Sequence, residues 1–182
     1  MNIPTDFDPR LLRWIAASRK LGAHSEPLIT VDLQQLGITE RLILQFEKEA
    51  LALEQKEPGM GTPPPLLMAA LAHSRLWILG FYEVLRTYRQ RVGRNSTEFG
   101  PLSEVFRHLE TARMPLAKHE AKGISGTLFY PQPIMKRDVG WVGWLVFEPK
   151  TGEPLEIFRT ALANEFLKAV ETATTDPASG CR

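Results

Sequence analysis

The longest regular spacing of hydrophobic positions lies in residues 66–92. There Leu67, Leu71, Ser74, Ile78, Phe81, Leu85, Tyr88 and Val92 alternate steps of four and three, which keeps one face of a helix turned to one neighbour. Met68, Trp77 and Val84 add a second line around Gly80. A helix apolar over most of its circumference must be covered by other helices or by a second copy of itself, since each large side chain left in water forfeits about 2 kcal/mol. The stretch is therefore predicted to be a central helix. His73 and Arg75 break the apolar run, and Glu83 and Arg86 end it, so a buried helix is favoured over a membrane span, which needs ~20 apolar residues.

Around it the pattern predicts further helices. Asp8 and Pro9 make a helix start, with Leu11, Leu12, Ile15 and Ala16 inward and Gly22 as a stop. Residues 28–31 read equally as a strand or a connector, and 33–36 as a single turn before Gly37. Thr39 then caps a helix running to about Lys56, with Leu42, Ile43, Phe46, Ala50 and Leu53 inward and Glu40, Glu47, Lys48 and Glu54 outward. Residues 57–65, rich in proline and glycine, form a surface loop. After a second loop at 93–101, Leu102, Val105, Phe106, Leu109 and Ala112 mark another amphipathic helix. Pro115 interrupts it, and 116–122 restarts as a short helix.

The C-terminal third changes character. Segments 127–130, 141–147 and 155–158 are rich in aromatic and branched residues, with Gly152 in a tight turn between the last two. Trp141, Leu145 and Phe147 would face one way and Val142, Trp144 and Val146 the other. Both faces are apolar, so the hairpin is either sandwiched or part of a contact surface. Thr160 caps a last helix with Leu162, Phe166, Ala169 and Val170 inward. The predicted fold is mainly α: a bundle of four to five helices around a long central one, with a small C-terminal β-hairpin. It forms a single helical domain over 1–175, the hairpin inserted at about 127–158, with a flexible tail at 176–182.

Composition narrows the function classes. With 182 residues, 43% of them hydrophobic and 24% charged, the chain can bury its own core and is not a disordered protein. A net charge of +1 gives no global attraction to nucleic acid, so such a partner would need a local patch. The one cysteine, Cys181, excludes a disulfide framework and a cysteine metal site. Asp6, Asp8 and Arg10 stand where a signal segment would need its apolar run, and a cytoplasmic protein is expected.

No glycine-rich phosphate loop, dinucleotide fingerprint or nucleophile elbow is present. His119 and Glu120 lack the second histidine of HExxH, and His24, His73, His108 and His119 are scattered singly, so no metal and no cofactor are expected. What remains is the stretch 112–123, ARMPLAKHEAKG. Its Arg113 and His119 stand on either side of Pro115. A neutral histidine can take the proton of an RNA 2'-hydroxyl, and a fixed guanidinium can hold the in-line phosphate.

Here the chain resembles the HEPN family (higher eukaryote and prokaryote nucleotide-binding domains), over about 66–119. The family's motif is an arginine, four to six residues and a histidine, often with a polar residue after the arginine; Met114 occupies that place here. The resemblance implies a helical bundle that dimerises and, in toxin or phage-defence members, cuts RNA without a metal at the dimer cleft. On that reading Arg113 and His119 are catalytic. Arg86, Arg89, Lys118 and Lys122 bind RNA, while Glu83 and Glu120 support the site; a homodimer, an RNA substrate and an antitoxin or other protein partner follow, with no membrane. Plainer readings exist for the same residues. Arg113 can complement a helix C-terminus or pair with Glu110, Arg86, Arg89, Arg91 and Arg94 can form a solvated helix end, and Glu83 can pair with Arg86 or Thr87 or orient a site arginine. The rival function is a non-catalytic helical-bundle dimer that binds a protein or nucleotide, using exposed Trp141 and Trp144.

Overall fold

The predicted central helix forms over Pro65–Val92. It is the third of five in a computed structural model that describes residues 8–22, 27–56, 65–93, 96–118, 130–148 and 151–173. The helices are α1 Pro9–Gly22, α2 Pro27–Lys56, α3 Pro65–Val92, α4 Ser103–Lys118 and α5 Arg159–Thr172. The chain is thus mainly helical, with a small antiparallel sheet between α4 and α5. Proline opens α1, α2 and α3, at a position whose N–H has no helical partner and where the fixed φ suits the first turn. Asp8 caps α1 by accepting the Arg10 backbone N–H at 2.9 Å.

The core gathers where α1, α3 and α5 meet. Trp14 stacks on Phe166 with centroids 5.1 Å apart and meets Trp77 and Phe81 edge-on at 6.0 and 5.8 Å. Both indoles are satisfied, since Trp77 Nε1 donates to the Leu36 carbonyl at 2.9 Å and Trp14 Nε1 donates to Glu40, as buried tryptophans require. On α3, Leu71, Ser74, Ile78, Phe81, Leu85 and Tyr88 are buried as the spacing predicts. Trp77 and Val84 of the second line are buried too, but Met68 is exposed.

Helix α2 departs most from the sequence reading. It is one helix of 30 residues, continuous through Gly37 and Thr39, so 28–31 is neither strand nor connector. Gly37 does not end a turn: a Cβ there would stand 2.7 Å from Trp14 Cβ and Cγ, so glycine lets α1 lie against α2. That contact sets the inner face to Ile29, Leu33, Leu36, Glu40, Ile43, Glu47 and Ala50. Glu40 and Glu47 are therefore buried rather than outward, and Leu42 and Leu53 are exposed rather than inward.

Helix α4 also runs further than expected, through Pro115 to Lys118. Pro115 supplies no N–H to the Thr111 carbonyl; the proline ring is itself buried on the helix's inner side. The C-terminal unit is a three-stranded sheet rather than a hairpin alone: β1 Gln132–Lys136, β2 Trp141–Phe147 and β3 Pro154–Phe158, in the order β1-β2-β3. Segment 127–129 lies outside the described residues, and Tyr130 is not in a strand. The first strand includes Pro133, opposite Trp144, as an edge strand permits. Gly152 at φ +70° turns β2 into β3. Val142, Trp144 and Val146 face the core, whereas Trp141 and Leu145 are half-buried and Phe147 is exposed. Thr160 is not the cap of α5; Phe158 occupies that position without a side-chain bond. Among the described residues no helix is long and apolar enough to cross a membrane.

Candidate functional site

Three places in the fold concentrate polar chemistry. The first is a buried cluster of two carboxylates and two guanidinium groups. Glu40 accepts from Arg10 Nε and Nη2 at 2.9 and 2.6 Å, from Trp14 Nε1 at 2.6 Å and from Arg159 Nη1 at 2.9 Å. The other η nitrogen of Arg159 donates to Glu47 Oε2 and to Thr160 Oγ1, both at 2.8 Å. Glu47 Oε1 then accepts the Val142 backbone N–H at 3.0 Å, tying the sheet to α2. Arg10 Nη1 reaches Asn164 Oδ1 of α5 at 2.7 Å. Burial pushes the Glu47 carboxyl above its ordinary range, while Arg159 and the Val142 N–H pull it down. Arg159 is wholly buried, and among the described residues its Nε finds no hydrogen-bond partner.

Every charge in this cluster is taken up by another member, so it has the character of a structural joint. Desolvation offsets most of the Coulomb gain of such ions; their effect is to fix how α1, α2, α5 and β2 meet. The sequence pattern places Glu40 and Glu47 outward and gives Arg159 no role. A signal was available, because Glu40, Ile43, Glu47 and Ala50 share the three and four spacing of Leu33 and Leu36.

The second place holds part of the arginine and histidine site. His119, Glu120 and Lys122 lie outside the described residues, as does Arg94. Arg113 is half-buried near the end of α4. Its guanidinium lies over the Tyr82 ring, 4.9 Å from the centroid, and its Nε stands 3.5 Å from Glu83 Oε1. Arg86 Nε donates to the other oxygen of Glu83 at 2.7 Å. The fold thus brings together Arg113, Glu83 and Arg86. Lys118 is exposed on the last turn of α4. Arg89 is not part of a solvated stripe: its guanidinium carbon lies 5.0 and 5.5 Å from the Phe106 and Phe99 ring centres. Tyr88 is in the core. Trp144 is also core rather than an exposed contact, leaving only Trp141 half-buried.

The third place is an open cleft of about 570 Å³ between α2 and α3. Trp77, Leu36 and Gly80 line it, together with Asp32, Gln35, Thr39, His73 and Thr87, and it reaches Glu83. Leu76 of α3, which also lines it, is exposed, and α2 exposes Leu28, Val31, Ile38 and Leu42. The expectation that the central helix is covered all round is therefore incomplete within one chain. Among the described residues no group of three His, Cys, Asp or Glu side chains could hold a metal ion. No family model, curated protein or solved structure matches the chain.

Proposed function

We propose that the chain is a helical-bundle interaction module whose α2/α3 face receives a helix of a protein partner. One observation carries this reading: large apolar side chains are exposed on α2 and α3, the two helices that border an open cleft lined by both apolar and polar side chains. Soluble chains hide such surface unless a partner covers it, and an amphipathic helix fits a groove of this kind through anchors at three and four spacing. The charged cluster at the α1/α2/α5 joint supports the reading, since its ions are spent on packing. The test is a photo-crosslinking residue at position 38 or 76 in cells expressing the chain. Discrete polypeptide adducts are expected that vanish when Leu42→Asp is added, while position 48, on a polar part of α2, yields none. If positions 38 and 76 give no discrete adduct, the docking reading is wrong.

A second reading is favoured by the way Glu83 and Tyr82 hold Arg113, with Arg86 on the same carboxylate. A guanidinium fixed in this manner is pre-organised for a phosphate, and with His119 as base it would serve metal-independent RNA cleavage of the toxin or phage-defence kind. On this reading His119→Ala abolishes cleavage of RNA with the fold intact; on the docking reading the same change is silent in every assay.

A further inference from the structure

We propose that a second pocket, between the end of α3 and the start of α4, binds a small organic oxyanion through Arg89. The bound group is a carboxylate or a phosphate monoester. The pocket measures about 540 Å³ and shares no lining residue with the α2/α3 cleft, so the site goes beyond the docking reading and does not depend on it. Its volume suits a small molecule. Arg89 lies half-buried in the wall, with its guanidinium against Phe106 and Phe99, two rings that meet edge-on at 5.6 Å. Ring faces engage the charge of a guanidinium but leave its N–H donors unused. Among the described residues nothing takes them up: Arg89 forms no ion pair or hydrogen bond, and its Nε is buried without an acceptor. A buried donor requires an acceptor, and the one that best matches a guanidinium edge is an oxyanion bound by two parallel hydrogen bonds.

Charge decides the class of ligand. The neighbouring guanidinium groups are already spent. Arg107, in the same wall, donates through Nε and Nη2 to Glu104 at 3.1 and 2.7 Å and through Nη1 to Glu148 at 3.2 Å. Arg86 and Arg113 share Glu83. Arg89 therefore brings one unspent positive charge to the pocket, and Glu110 brings a carboxylate to the same wall. That balance admits a single anionic group and opposes a run of phosphates, whose further charges would meet Glu110. A nucleic-acid strand, which needs a track of cations, fits it poorly. Ser96 completes the site from the turn before α4. Its Oγ accepts the Glu98 backbone N–H at 3.1 Å, which leaves the hydroxyl hydrogen to donate to the ligand.

The test titrates the purified full chain with benzoate and, separately, with phenyl phosphate, following the Arg89 Nε–H resonance by NMR. A saturable shift is expected with at least one of them, and the tighter of the two identifies the head group. Arg89→Gln should weaken that binding roughly tenfold or more, as loss of hydrogen bonds to a charged group does. Because this change also removes the ring contacts, position 96 supplies a second comparison. Asn and Asp can both accept the Glu98 N–H and keep the turn. Ser96→Asp sets a negative charge at the pocket and should weaken binding about fivefold or more, whereas Ser96→Asn should bind as the wild type does. The proposal is overturned if neither probe gives a saturable shift, if binding survives Arg89→Gln, or if Ser96→Asp and Ser96→Asn bind alike. A shift produced only by an oligoribonucleotide overturns it as well, and makes Arg89 part of a phosphate track instead.

Discussion

Each side of α2 carries residues more usual on the other side of a surface helix. The inner side carries Glu40 and Glu47, locked to Arg10 and Arg159 beneath α1 and α5. The outer side carries Leu28, Val31, Ile38 and Leu42 in solvent. Buried ions are matched to specific partners and fix orientation, whereas exposed leucines are unspecific until something covers them. The contrast separates what holds this chain in one shape from what it offers to a neighbour. Changes on the inner side should therefore act on folding, and changes on the outer side on association alone.

Breaking the inner joint should have the largest effect. Arg159→Met leaves Glu47 buried without its cation, and loss of one member of a buried pair costs about 3–5 kcal/mol, read as a lowered midpoint in urea unfolding. Gly37→Ala comes next. Its methyl would press on Trp14 at 2.7 Å, and overpacking of this kind costs about 1–3 kcal/mol in the same experiment.

A pH titration sharpens the comparison further. The Glu47 carboxyl is raised by burial, so its contribution to stability is full below the unfolded glutamate pKa and declines as pH rises through the higher folded value. The exposed Glu171, lowered chiefly by its hydrogen bond from Arg13, behaves oppositely: its contribution is present above the unfolded pKa and fades as pH falls through the folded one. Carboxyl NMR should place Glu47 above the ordinary glutamate range of about 4.3 and Glu171 below it. Equal values would contradict the contrast. The smallest effect on folding is expected on the outer side, where Ile38→Asp should change the stability of the isolated chain by no more than ~0.5 kcal/mol.

The sequence made α3, α4 and α5 legible but not the inner face of α1, where Trp14, Ala17, Ser18 and Leu21 are buried while Leu12 and Ala16 are exposed. The inner stripe of α3 is buried as its spacing predicts, as are Val105, Phe106 and Leu109 of α4 and Leu162, Phe166 and Val170 of α5. It misled where a residue had two uses. Gly37 and Thr39 carry the signals of a helix stop and a helix cap, yet the chain passes through both because Trp14 needs the space at position 37. Glu40 and Glu47 look like solvent residues until Arg10 and Arg159 are found 30 or more positions away in sequence. Pro133 hid the edge strand, and Pro115 suggested a break in a helix that continues. Of the arginine-centred site, Glu83 as an orienting carboxylate was one of the readings the residues allowed, while the ring packing of Arg89 depends on Phe99 and Phe106 beyond a loop.

Photo-crosslinking from positions 38 and 76 tests most directly whether the outer side of α2 is an interface. Discrete polypeptide adducts are expected at both positions, lost when Leu42→Asp is added, while the unfolding free energy of the purified chain in urea stays within ~0.5 kcal/mol of the wild type. The absence of a discrete adduct at both positions would contradict the account.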